Sequence, residues 1–102
     1  MKISNVGMFV DNLEACKTFF ENYFGALETM EYHDENGFKE YILKIGDGAK
    51  LEIMTKPEVH DLKKDPDRTG FAHICIKLDS KEDLDRVIDK IHASGYKVFY
   101  EP

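Results

Sequence analysis

The first 25 residues show two different spacings of apolar side chains. Residues 3–10 (ISNVGMFV) alternate with the two-residue period of a β-strand. The apolar side chains that follow recur at helical spacing: Leu13, Cys16, Phe19, Phe20, Tyr23 and Phe24. Asp11 or Asn12 is placed to cap this helix, with Glu14 completing a capping box on Asp11, and Gly25 is placed to end it. The pattern therefore predicts a strand followed by a helix.

Three more strands are predicted after this helix, at residues 27–34, 38–46 and 49–56. The polar, glycine-containing segments DENG and GDG are the turns between them. Residues 57–70 (PEVHDLKKDPDRTG) are polar and contain two prolines. We expect these residues to form a long, mobile or lid-like loop.

The last third of the chain returns to the pattern of the first. FAHICIKL at 71–78 has the composition of a strand, and Ser80 with Asp83 is placed to open a second helix that Gly95 ends. YKVFY at 96–100 is predicted to be a final strand.

The two parts of the chain superimpose at a shift of 68 residues, which brings Asn5 onto His73. Apolar positions of both predicted strands and both predicted helices then coincide, as expected of an internal repeat. The predicted fold class is α+β, with paired βαβββ modules of which the second is incomplete (βαβ). We predict a single domain at 1–102, with module one at about 1–56, the loop at 57–70 and a partial module two at 71–102.

The alternation also separates the two faces of the predicted sheet. Leu51 and Ile53 point to the side that a helix must cover, and Glu52 and Met54 point to the other. The helix-free side also receives Asn5, Gly7 and Phe9 from the first strand, and Phe71, His73, Cys75 and Lys77 from its counterpart. On a flat sheet Glu52 would be a solvent-facing charge, whereas between two sheets that curl towards each other it would lie in a cleft.

Composition and charge narrow the classes of function. The net charge of −6 counts against a nucleic-acid-binding protein, because phosphate binding needs a basic face. The N-terminus has no secretory signal pattern, and no apolar run is long enough to span a membrane. The two cysteines, Cys16 and Cys75, lie in separate apolar segments without metal-site spacing, so we expect buried, reduced thiols in a cytoplasmic protein.

Three stretches carry a resemblance to a known family: MKISNVGMFVDNLEACKTFFENYFG, DGAKLEIM and GFAHICIKLDSKEDLDRVIDKIHASGYKVFYEP. In this order they resemble the glyoxalase, bleomycin-resistance and extradiol-dioxygenase superfamily, also called vicinal oxygen chelate (VOC) proteins. The resemblance covers essentially the whole chain. It implies a glyoxalase-like pair of modules curled around a cleft that holds a metal or a ligand.

The resemblance also implies a set of site residues. In metal-binding members the ligands come from the first and last strands of each module, which here gives Asn5, Glu52 and His73. The fourth position would fall near residue 120, beyond the 102 residues of this sequence. Asn5 stands where the family usually has His or Gln. The surrounding apolar residues Phe9, Met54 and Phe71, together with Cys75, would line a substrate pocket or serve as plain core.

Three functional hypotheses remain open at this point. The first is a metal-dependent lyase or isomerase of the glyoxalase I (lactoylglutathione lyase) type, with Glu52 catalytic and a divalent Zn, Ni, Mn or Fe ion binding two neighbouring oxygens of a small substrate. The second is a metal-free binding protein of the bleomycin-resistance type, and the third is an inert, truncated member. Because the incomplete repeat predicts an unpaired sheet edge, we also expect a homodimer.

Overall fold

The fold is mixed α+β, as predicted from the sequence. We describe it from a computed structural model, which describes residues 1–99. Its elements follow one another as β1 (Asn5–Phe9), α1 (Leu13–Phe24), β2 (Leu27–His33), β3 (Lys39–Lys44), β4 (Lys50–Thr55) and α2 (Lys81–Ala93). The chain divides into two compact units, Met1–Asp61 and a second that begins at Leu62.

The first unit contains the βαβββ arrangement of the predicted fold class, from β1 to β4. Its four strands form one sheet in the order β1-β4-β3-β2. β1 pairs with β4 in parallel, and β4 with β3 and β3 with β2 pair antiparallel. The Lys50 amide donates to the Ser4 carbonyl (2.9 Å) at one end of the parallel ladder, and the Val10 amide donates to the Met54 carbonyl (2.8 Å) at the other.

Helix α1 begins and ends at the residues that the sequence marks. The Asn12 side chain accepts a hydrogen bond from the Ala15 amide (3.1 Å), and Gly25 adopts the left-handed conformation (φ 62°) that favours glycine. The cap is thus Asn12, and Glu14 does not complete a capping box on Asp11. Glu14 instead faces the sheet, where it receives hydrogen bonds from two residues of β3.

The core of the first unit lies between α1 and strands β3 and β4, on which the helix packs. Leu43 and Ile53 are fully buried there, and the other core residues are at most 9% exposed: Leu13, Phe20, Ala26, Tyr41 and Leu51. The burial of Leu51 and Ile53 confirms which face of the sheet the helix covers.

The Tyr41 hydroxyl donates to Glu14 Oε1 (2.7 Å) and Lys39 Nζ donates to the same oxygen (3.0 Å). These bonds lower the pKa of Glu14, with Tyr41 contributing most.

In the second unit the helix is confirmed and the strands are not. Ser80 Oγ accepts from the Asp83 amide (3.1 Å) at the start of α2. Residues 71–78 form no strand, nor do 96–99, while the rest of the predicted last strand lies outside the described residues. A strand exists only where a neighbouring strand completes its hydrogen bonds, and within residues 1–99 nothing pairs with 71–78. The prediction of a strand at 71–78 is therefore wrong.

Candidate functional site

The helix-free face of the first unit brings two of the predicted site residues together. Register places Gly7 of β1 opposite Glu52 of β4, with Asn5 and Phe9 as the next residues of β1 on the same face. The Asn5 side-chain amide donates a hydrogen bond from Nδ2 to Glu52 Oε2 at 2.9 Å. Asn5 and Glu52 are 47 residues apart in sequence, and the parallel β1–β4 ladder makes them neighbours.

A second carboxyl lies beside Glu52, and the sequence analysis missed it. Ile42 of β3 pairs with Glu52 and Glu40 pairs with Met54, so Glu40 and Glu52 are diagonal neighbours on one face. Burial raises the pKa of Glu40 above the ordinary value of 4.5, and hydrogen bonding to Glu52 and the negative charge of Glu52 raise this pKa further. The alternation of side chains along β3 could have revealed Glu40 from the sequence. Tyr41 faces the core, so its neighbour Glu40 points to the helix-free face.

Apolar side chains surround these polar groups. Phe9 and Met54 are paired across β1 and β4, which places two of the predicted pocket residues together. Phe9 is 51% exposed, and the Lys56 ammonium lies 5.2 Å from the centre of its ring. Tyr32, 50% exposed, extends the apolar surface on β2. Exposed aromatic side chains around a few polar groups are typical of a surface that binds a small molecule.

The other predicted site residues lie in the second unit. His73 and Cys75 are exposed, in the segment at 71–78 that forms no strand. Phe71 is 83% exposed, and its carbonyl accepts a hydrogen bond from Arg68 Nη1 (2.9 Å). The predicted burial of both thiols is therefore wrong for Cys75. Cys16 is half-buried, and that burial raises the pKa of its thiol.

Few side chains of the described residues are placed to act as metal ligands. In residues 1–99 no group of three or more His, Cys, Asp or Glu side chains is arranged to hold a metal ion. The group of Asn5, Glu40 and Glu52 offers two carboxylates and one amide, whose oxygens suit hard cations such as Mn(II) better than Zn(II). Across the same described residues, no helix has the length and apolar character to cross a membrane.

Comparison with known proteins identifies one family. Residues 4–102 match the family model of the Glyoxalase/Bleomycin resistance protein/Dioxygenase superfamily. The uncharacterized protein YqjT of Bacillus subtilis (strain 168) is 28% identical over 100 residues, covering 94% of this chain and 73% of YqjT.

Several solved structures share the fold, and two of them illustrate the likeness. A glyoxylase/bleomycin resistance protein/dioxygenase domain from Frankia sp. EAN1pec superimposes with a TM-score of 0.78 at 16% identity, covering 93% of this chain and 74% of that one. The fosfomycin resistance protein FosX of Listeria monocytogenes, solved as a mutant with Mn(II) and a dihydroxypropylphosphonic acid, gives a TM-score of 0.73 at 22% identity, covering 98% and 74%. At these identities the likeness shows the fold alone.

Proposed function

The chain belongs to the Glyoxalase/Bleomycin resistance protein/Dioxygenase superfamily, and we propose that it is a divalent-metal-dependent lyase or isomerase. Its substrate is a small molecule with neighbouring oxygens, bound on the helix-free face of the first unit. The observation that carries this proposal is the group formed by Asn5, Glu52 and Glu40, which places an amide and two carboxyls among exposed apolar side chains.

Asn5 and Glu52 would hold the cation on this face of the first unit. The hydrogen bond from Asn5 Nδ2 to Glu52 Oε2 uses the amide nitrogen, so the amide oxygen remains as a donor to a hard cation. The bound cation would supply Lewis acidity at the oxygens of the substrate. The Mn(II) in the FosX structure supports a metal of this kind.

Glu40 supplies the second carboxyl that a proton transfer needs. Two neighbouring carboxyls divide acid and base roles when their environments separate their proton affinities. The raised pKa of Glu40 keeps a proton on this side chain at higher pH than on an ordinary glutamate, next to the Glu52 carboxylate that can accept one. The carboxylate expected near position 120 is therefore not the sole candidate for this role.

A metal-free binding protein of the bleomycin-resistance type is the second candidate. The specific observation in its favour is that Asn5 donates to Glu52 itself, which occupies one oxygen of the carboxylate that would bind the metal. In this alternative the apolar face sequesters a ligand and no bond changes.

Titration of the protein with Mn(II), followed by calorimetry, tests the proposal. We expect binding by the parent, loss of most affinity in Glu52→Gln, and tighter binding in Asn5→His, which adds an imidazole donor. Glu58→Gln, in the loop after β4, is the matched control for lost charge. A parent protein that binds no Mn(II) would favour the metal-free alternative.

A further inference from the structure

Two lysines lie side by side at one end of the helix-free face of the first unit. The register pairs Leu43 of β3 with Leu51 of β4, and both leucines are buried under the helix. Continuing this register, Lys44 lies opposite Lys50, and alternation places both side chains on the helix-free face. Lys50 is half-buried and Lys44 is exposed. The two ammonium groups are therefore neighbours on the face where we place the ligand.

The position of this lysine pair does not serve the stability of the sheet. Lysines that protect a sheet against aggregation lie on edge strands, whereas β3 and β4 are the two inner strands in the order β1-β4-β3-β2. Like charges directly opposite each other on neighbouring strands destabilise a sheet. Proteins break such local rules mainly at functional sites.

The lysine pair also has no carboxylate partner among the described residues. On the helix-covered side, Lys39 Nζ lies 3.0 Å from Glu14 Oε1. Within residues 1–99 neither Lys44 nor Lys50 forms an ion pair. This holds although Glu52 follows Lys50 by two residues on the same face and the turn between β3 and β4 contains an aspartate. The pair is therefore available to bind a negatively charged group.

The distance from the lysine pair to the proposed cation site fits a single small ligand. Asn5 pairs with Lys50 in the register of β1 and β4, and Glu52 lies two residues from Lys50, about 7 Å along the strand. An anionic group at the lysines and oxygens at Asn5 and Glu52 would thus belong to one molecule of a few carbon atoms.

We propose that Lys44 and Lys50 bind an oxyanionic group of the ligand, a phosphate ester or a carboxylate, whose neighbouring oxygens lie towards Asn5 and Glu52. This inference rests on the proposed function in placing the ligand on the helix-free face. It adds a class of ligand, small hydroxylated anions, and two residues that cation binding does not use. Because two ammonium groups balance two negative charges, a phosphate ester should bind more tightly than a carboxylate.

Acetylation of lysines by a limiting amount of acetic anhydride, read by peptide mass spectrometry, tests this binding without added metal. Lys63, an exposed residue of the loop after β4, is the internal reference. Three probes carry neighbouring hydroxyls and differ in charge: glycerol 3-phosphate, glycerate and glycerol. We expect glycerol 3-phosphate to slow acetylation of Lys44 and Lys50 at least about threefold relative to Lys63. Glycerate should slow it less, and glycerol should have no effect.

Single variants test whether the two lysines act together. Lys44→Gln should raise the concentration of glycerol 3-phosphate that protects Lys50 at least about fivefold, and Lys50→Gln should do the same for Lys44. Lys81→Gln removes the same charge from α2 and should leave protection unchanged. Thermal unfolding without ligand is a second readout. Lys44→Gln and Lys50→Gln should unfold at temperatures no lower than the parent, because each removes a contact between like charges, whereas loss of a purely structural lysine would lower that temperature.

Equal acetylation with and without both anions, equal protection of Lys63, or the same weakening in Lys81→Gln would overturn the inference. Protection by glycerate alone would keep the oxyanion site and assign it to carboxylates. Mn(II) binding by the parent without protection of Lys44 and Lys50 would overturn this inference and leave the proposed function standing. Protection without Mn(II) binding would support the oxyanion site and count against the metal-dependent function.

Discussion

Replacing Glu40 by glutamine should stabilise the protein at neutral pH. The folded state holds the proton of Glu40 more tightly than the unfolded state, because burial and Glu52 raise the folded-state pKa above 4.5. The free energy of unfolding therefore falls as the pH rises from the unfolded towards the folded pKa of Glu40. The amide of glutamine can donate to Glu52 at every pH, so Glu40→Gln removes this loss.

The expected gain in the free energy of unfolding follows from the position of Glu40 and Glu52 on neighbouring strands. Cross-strand neighbours contribute roughly 0.2–1 kcal/mol, and because solvent screens these half-buried carboxyls we expect about 0.5 kcal/mol. For a domain of this length that corresponds to a rise of about 2–4 °C in the unfolding midpoint. Thermal unfolding at about pH 4.5 and about pH 7.5, with Glu58→Gln as the charge control, measures it. A Glu40→Gln protein no more stable than the parent at the higher pH, with the same pH dependence, would refute the electrostatic coupling.

Three other outcomes are expected from the fold. Tyr41→Phe should lower the free energy of unfolding by about 1 kcal/mol in urea denaturation, because it removes the hydrogen bond to Glu14. Ile53→Ala should cost about 3 kcal/mol because this side chain is fully buried, whereas Ile74→Ala, at a site that is 54% exposed, should stay within about 0.5 kcal/mol of the parent. Sedimentation should detect a homodimer, since β1 and β2 are edge strands of the sheet, and a monomer at high concentration would contradict this.

The first unit was predictable because its signals are local. Alternating polarity, the cap at Asn12 and the left-handed Gly25 identify the strands and α1 to within two residues at each end. The strand at 71–78 failed because alternation reports which faces differ in polarity and carries no information on a pairing partner. Glu40 was missed for a related reason, since its contact with Glu52 arises from the register of β3 against β4.

The Asn5–Glu52 hydrogen bond was not predictable for the same reason, because it depends on the register between strands far apart in sequence. The alternation of side chains placed both residues on one face of the sheet. Their contact also required β1 to lie directly against β4. Local patterns thus predict what each element exposes, and pairing between distant strands decides which exposed groups meet.

The parallel pairing of β1 with β4 also sets an order of assembly. β2, β3 and β4 can form by closing short loops between neighbours, whereas β1 must wait for a closure that spans α1, β2 and β3. β1 should therefore join the sheet last and detach first, and its amides should exchange with deuterium sooner than those of β3. Asn5, Gly7 and Glu52 would come together in this final step. A chain with an undocked first strand would keep most of its core, but the proposed binding site would not form. Affinity for the proposed ligand would then depend on the last stage of folding.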